Sequence, residues 1–134
     1  MNKRLLDTDT LIEFFRQNRA VVSHVAAYLQ DHDQLSITII TYYEVLRGLR
    51  YVNVEQQLQA LESFVADNEI LPLEKAAVQK AAEVYAALRR QGNLISEGDI
   101  LIAGTALAND CVLVTNNVNH FARVPGLQVE NWMI

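Results

Sequence analysis

The feature that most constrains this chain is a repeated handover from a short, continuously apolar run to an amphipathic helical stretch. Residues 3–7 read as a strand, and residues 8–16, carrying Leu11, Ile12, Phe14 and Phe15, read as a helix. Residues 35–40 are rich in β-branched side chains and hand over to a helix reaching Val52. Residues 112–115 and 127–130 are further strands. The segment Ile70-Leu71-Pro72-Leu73 is a strand at an edge or an end, because its proline has no amide to donate. Between them lie helical patterns over residues 20–30, with Val21, Val22, Val25, Ala26 and Leu29 on one face, and over residues 54–67. Residues 74–90 form the longest, with Val78, Ala81, Ala82, Tyr85 and Leu88 in phase and Gly92 as its stop; residues 99–108 form the last. Strands too apolar to keep a wet face, alternating with helices, predict a three-layer α/β/α domain with a central, mainly parallel sheet.

A chain of 134 residues suits one such domain, and neither repeats nor linkers divide it. With 51% hydrophobic and 20% charged residues, two Pro and five Gly, the composition excludes disordered, collagenous and coiled-coil classes. No apolar run approaches the length of a membrane span, and the opening Met1-Asn2-Lys3-Arg4 leads into acid rather than a signal core, so the expectation is a cytoplasmic protein. The single Cys111 opens an apolar run and reads as a buried, inert thiol. Eleven basic against sixteen acidic residues give a net charge of −5, which argues against holding nucleic acid by bulk electrostatics. A site that concentrates part of this charge and binds divalent cations would reverse the field a phosphate meets.

In sheets of this kind ligands sit outside the carboxyl ends of the strands. Asp7 and Asp9 close the first strand, Glu44 lies one turn into the helix after the second, and Asp99 starts the helix before the fourth. Such carboxylates suit Mg2+ or Mn2+, hard cations held by a few carboxylates and waters, and metal-assisted hydrolysis of a phosphodiester would follow. Each acid also has a bland reading. Thr41-Tyr42-Tyr43-Glu44 has the spacing of a capping box, and Asp99 suits the positive start of a helix. Asp9 is either a ligand or a solvent-facing helix start. Asp7 is hardest to explain away, because a charge at the mouth of a buried strand is costly unless paired or ligated. Thr115-Asn116-Asn117 follows another strand and reads as a turn or as contacts to water and phosphate, with His120 nearby as a substrate contact or a loop residue. His24, His32 and His120 have no zinc spacing.

Four segments, Leu5-Leu6-Asp7-Thr8-Asp9, Thr41-Tyr42-Tyr43-Glu44-Val45-Leu46-Arg47-Gly48-Leu49, Gly98-Asp99-Ile100-Leu101-Ile102-Ala103-Gly104, and Val114-Thr115-Asn116-Asn117-Val118-Asn119-His120-Phe121, together resemble a PIN-domain protein. The closing Arg123-Val124-Pro125-Gly126-Leu127, followed by Glu130-Asn131-Trp132, is similar to the tail of the VapC toxins, so the resemblance spans residues 1–134 as a single PIN-like domain. It implies a Mg2+- or Mn2+-dependent endoribonuclease that is homodimeric, held inactive by a VapB-like antitoxin, and directed at structured RNA such as a transfer RNA. Asp7, Glu44 and Asp99 match the three invariant acids, and Thr8 the hydroxyl position beside the first. The family's fourth acid falls where this chain has Asn117 and then His120, a departure that bears on a second metal ion. The mechanism this implies is in-line attack of a metal-activated water, leaving a 5′ phosphate and a 3′ hydroxyl without a covalent intermediate. Asn116, His120 and Arg47 are candidate substrate contacts, with Arg50, Arg89 and Arg90 as further phosphate contacts or simply solvated charges.

Two other functions compete. Asp7-Thr8-Asp9 also resembles the opening of the haloacid dehalogenase phosphatases, with Asp7 as nucleophile and Asp9 as general acid. The second rival is a non-catalytic PIN-like module that binds RNA or protein without cutting. The apolar stripes of residues 54–67 and 74–90 read as core or as a partner surface.

Overall fold

The computed structural model describes residues 2–134. Strands β1 (Arg4–Leu6), β2 (Ser36–Thr38), β3 (Glu69–Leu71), β4 (Val112–Val114) and β5 (Val129–Glu130) lie in the order β3-β2-β1-β4-β5, and every pairing is parallel. Helices α1 (Thr8–Phe15) and α2 (Arg19–Tyr28) join β1 to β2, and α3 (Ile39–Val52) and α4 (Glu55–Asp67) join β2 to β3. Helices α5 (Lys75–Gln91) and α6 (Glu97–Ala108) return the chain to β4, and α7 (Val118–Phe121) leads to β5.

Successive strand residues point to opposite faces, so neighbours in sequence serve different cores. Leu6, Ile37 and Val114 pack with Leu11, Val25, Val45, Leu61 and Phe64 from α1–α4. Leu5, Leu71 and Leu113 pack with Ala81, Val84, Leu88, Ile102 and Phe121 from α5–α7. These are the expected three layers. From β1 the chain first winds outward through β2 to β3, then crosses back to β4 on the other side of β1. β1 and β4 therefore flank the switch point, and a crevice opens beyond their carboxyl ends.

Several boundaries and faces differ from the sequence expectation. Helix α3 begins at Ile39, because the Thr38 hydroxyl caps it by accepting the Thr41 amide at 2.9 Å. Thr41 is then a buried third helical residue, and Thr41-Tyr42-Tyr43-Glu44 is not a capping box. Helix α6 starts at Glu97 behind a Ser96 cap, so Glu97 and Gly98 are helical rather than loop. The one-turn α7 was not expected. β3 lies at the sheet edge and ends just before Pro72, as the missing donor requires.

Helix α2 buries Val21, Val25 and Tyr28 and leaves Leu29 exposed. Helix α5 buries Ala77, Ala81, Val84 and Leu88, while Val78 is 48% exposed. Of the expected stripe Ala81 and Leu88 are buried, Tyr85 is half-buried, and Val78 and Ala82 face outward, because the small Ala77 and Ala81 are what lets α6 approach α5 closely. On α4, Leu58, Leu61 and Phe64 are buried, so both expected stripes contribute mainly to the core. Asn53 and Gly92 end α3 and α5 in the left-handed conformation, with Arg89 and Arg90 in the last turn of α5 facing the negative helix end.

Gly48 sits on the exposed side of α3 with no atom within 4 Å of where its Cβ would stand. Gly48→Ala is therefore expected to stabilise the protein by about 0.5–1 kcal/mol through helix propensity, read as a higher urea midpoint at unchanged slope.

Candidate active site

The parallel register pairs Leu6 with Val114, so the next residues, Asp7 and Thr115, meet at the mouth of the crevice. The Asp7 amide donates to the Val114 carbonyl at 2.8 Å, and the Thr115 hydroxyl donates to Asp7 Oδ2 at 2.8 Å. Asp7 occupies the N-cap position of α1, yet its side chain makes no capping bond and is 5% exposed. Burial pushes its carboxyl up to about 7, with the charges of Asp9 and Asp99 adding to the effect and the Thr115 hydrogen bond opposing it. Asp9, in the first turn of α1, accepts the Asn116 amide on Oδ2 at 3.1 Å and the Thr10 hydroxyl on Oδ1 at 3.2 Å. Its carboxyl is also raised, chiefly by burial.

Glu44 reaches the crevice from the second turn of α3. The Thr8 hydroxyl donates to its Oε1 at 2.5 Å and lies 3.1 Å from the Thr41 hydroxyl. Asp99 stands in the first turn of α6, where Ser96 caps its amide at 3.2 Å. Its carboxyl is raised by burial first and then by the charges of Glu44 and Asp9, while His120 lowers it. The bland reading of Asp99 as a helix-start charge thus holds alongside its place in the cluster.

Beyond β4, Asn117 donates its amide to the Thr115 hydroxyl at 2.9 Å, and its side-chain nitrogen lies 2.8 Å from His120 Nδ1. The Asn116 side-chain oxygen accepts from Asn131 at 3.2 Å, which ties it to the C-terminal segment. Arg47 is exposed on α3, stacked over the Tyr43 ring at 5.2 Å, outside the carboxylate cluster. Arg89 on α5 is engaged by the Tyr85 hydroxyl. A groove of about 380 Å³ between α1, α3 and α4, lined by Ile12, Phe15, Val45 and Leu49, runs up to Glu44.

The ion pairs among the described residues join Lys3 to Glu69, Arg4 to Glu130, Arg16 to Glu13 and Lys80 to Glu83; Asp7, Asp9, Glu44 and Asp99 lie outside all of them. Among the described residues no three His, Cys, Asp or Glu side chains stand together closely enough in this structure to hold a metal ion. An all-oxygen, half-buried set of carboxylates with no cationic side chain paired to it suits a hard divalent cation that keeps part of its water shell. Cys111 is buried and unpaired, and burial raises its thiol. Among the described residues no helix is long and apolar enough to cross a membrane.

Sequence reasoning missed Thr115 as the partner of Asp7. The signal was available only once β1 and β4 were known to be neighbours in register. It also missed Gly98 as a helical residue lying against the Glu44 carboxylate.

An all-parallel sheet with acids gathered beyond its β1 and β4 ends defines a class that the PIN domain family model matches over residues 4–127, and the chain belongs to that family. It is 31% identical over 133 residues to a tRNA(fMet)-specific endonuclease VapC from Shigella flexneri, covering 98% of this chain and 99% of that protein. Ribonuclease VapC2 from Haemophilus influenzae is 30% identical, covering 99% of this chain and 100% of its own length. Among solved structures, DNA-bound VapBC from Salmonella typhimurium superposes with a TM-score of 0.87 at 30% identity, covering 98% of this chain and 99% of that one. VapBC2 from Rickettsia felis, bound to a DNA fragment from the promoter, gives 0.86 at 26% identity, covering 96% and 98%. The family match sets aside the haloacid dehalogenase reading of Asp7-Thr8-Asp9.

Proposed function

We propose that this chain is a VapC-type toxin: a Mg2+- or Mn2+-dependent endoribonuclease, one PIN-like domain over residues 1–134, acting in the cytoplasm as a homodimer and neutralised by a VapB-like antitoxin. The observation that carries the reading is the gathering of Asp7, Asp9, Glu44 and Asp99 beyond β1 and β4 with no lysine or arginine paired to them. The names of its relatives, an endonuclease of transfer RNA and ribonucleases, support an RNA substrate, and the VapBC structures support an antitoxin partner.

Asp7, Glu44 and Asp99 would hold the ion, which when bound supplies Lewis-acid polarisation of a phosphoryl oxygen and a more acidic water. Thr115 and Thr8 fix the Asp7 and Glu44 carboxylates by donating to them, so both keep their remaining lone pairs toward the crevice. Asn117 and His120 form one lip beside the acids and Arg47 the exposed rim of α3, placed to bond a phosphate or an unpaired base. Asn117 stands where an acid would add a further negative charge, so the charge of the site comes from Asp7, Asp9, Glu44 and Asp99 alone. The apolar groove ending at Glu44 offers an antitoxin a seat from which it blocks RNA.

The test is cleavage of total RNA by the purified protein with Mg2+, with Mn2+ and with EDTA. Discrete fragments with 5′ phosphates, absent in EDTA and reduced at least about 100-fold by Glu44→Gln, are expected. Cutting that persists equally in EDTA or in the variant would overturn the proposal. RNA binding without any cutting would make the chain a binding module.

A further inference from the structure

Gly98 is a helical glycine with no conformational need to be one. It is the second residue of α6, and the glycines with positive φ are Gly92 and Gly126 instead. Glycine is a poor helix former, so its presence at such a position asks for a steric reason. Of the other helical glycines, Gly48 faces open space and Gly104 faces the backbone of α5. Gly98 alone faces an ionisable side chain. A Cβ there would overlap Glu44 Oε2 and stand 3.4 Å from Glu44 Cδ, with Ile40 Cγ2 at 4.0 Å.

The other oxygen of the same carboxylate, Oε1, accepts the Thr8 hydroxyl at 2.5 Å. Glu44 is therefore stretched from the first residue of α1 to the first turn of α6, with the next residue along α6 being Asp99. A side chain at position 98 would push Oε2 away, and because Oε1 is tied to Thr8 the carboxylate has to break that bond or turn out of the crevice. The positive end of α6 favours the anion at this spot, which further explains why Glu44 lies across it.

We propose that Gly98 is a positioning residue: by carrying no side chain it lets the Glu44 carboxylate lie across the start of α6 beside Asp99, so that both serve one divalent cation. This rests on the proposed metal-dependent reading of the site.

The experiment measures Mn2+ affinity by titration calorimetry and melting temperature in EDTA for the full-length protein, Gly98→Ala, Glu44→Asp, the double variant and Asp99→Asn. Gly98→Ala is expected to weaken Mn2+ binding by about 10-fold or more. Its melting temperature in EDTA is expected to stay the same or rise, since alanine is the better helix former and only the flexible end of Glu44 has to yield. In the Glu44→Asp background the shortened side chain no longer reaches position 98, so adding Gly98→Ala is expected to cost little more, a non-additivity that a merely structural glycine does not produce. Wild-type Mn2+ affinity in Gly98→Ala, equal losses in both backgrounds, or weakened binding that follows a lowered melting temperature in EDTA would each overturn the proposal. If Asp99→Asn abolishes Mn2+ binding while Gly98→Ala does not, the positioning role alone fails. If neither variant changes it, the metal-dependent reading fails with it.

Discussion

Asp7→Asn is expected to abolish RNA cleavage and, in the same molecule, to stabilise the metal-free protein at and above neutral pH. The two effects share one cause. Burial holds the Asp7 carboxyl at about 7 in the folded chain, against an ordinary value of 3.8 that applies when the chain is unfolded. Below both values the group is protonated in either state and costs the fold nothing. As pH rises between them the unfolded chain releases its proton while the folded one retains it, so stability falls, by on the order of 4 kcal/mol once Asp7 is ionised in both states. Burial also raises Asp9 and Asp99, and both act in the same direction. A bound divalent cation offsets this penalty by interacting with the ionised carboxylates.

Asparagine is nearly isosteric, still accepts the Thr115 hydroxyl, and carries no charge to desolvate. In EDTA the variant is therefore expected to match the wild type near pH 4 and to melt higher at pH 8, by up to about 10 °C. Mn2+ should raise the melting temperature of the wild type and not that of the variant, and cleavage should fall by more than about 100-fold. Scanning calorimetry at pH 4, 6 and 8 checks the stability side. A variant that melts lower than wild type at pH 8 in EDTA would mean that the fold already compensates the Asp7 charge, which would remove the main reason for placing a cation there.

The second large effect concerns the joint between α5 and α6. Gly104→Ala is expected to destabilise the protein by about 3 kcal/mol, lowering its melting temperature by roughly 10 °C. A Cβ at this position would stand 2.6 Å from the Ala77 carbonyl oxygen and 2.7 Å from both the nitrogen and the Cβ of Ala81. These are parts of the α5 backbone and a side chain with no rotamers, so nothing can swing aside. Helix α5 must retreat, which loosens Ala81, Val84 and Leu88 from Ile102 and Ala103 in the core on that face of the sheet. The loss occurs against the intrinsic preference for alanine in helices, worth up to about 1 kcal/mol. The same substitution thus has opposite signs at Gly48 and Gly104. A urea melt of the two variants side by side decides the matter; a gain of stability in Gly104→Ala would mean that α5 and α6 have room for a methyl group between them.

Much of the architecture can be read from residue order. Short apolar runs that hand over to helices at Thr8 and at Thr41 predict parallel strands with crossovers, because parallel neighbours need a connection of a dozen or more residues and these helices supply it. Carboxylates at those handovers are conspicuous, since Asp7, Glu44 and Asp99 stand where a buried strand meets water or where a helix begins. Faces were less legible. In α5 the expected stripe shares Ala81 and Leu88 with the buried one but includes Val78, which is exposed, and omits the smaller Ala77, which is buried. In α3 the cap lies at Thr38 rather than Thr41, and a Thr-x-x-Glu spacing alone does not tell which threonine ends the strand.

Local pattern determined the alternation of elements, the two-faced core and the identity of the acids, since each depends on residues close together in the chain. The adjacency of β1 and β4, and with it the meeting of Asp7 and Thr115 from 108 positions apart, was decided by the tertiary structure alone. So was the contact between Glu44 and the bare Cα of Gly98. Two residues that interact only after the sheet has chosen its strand order leave no periodic trace in the sequence, because the free energy that brings them together comes from burying both faces of the sheet and not from the pair itself.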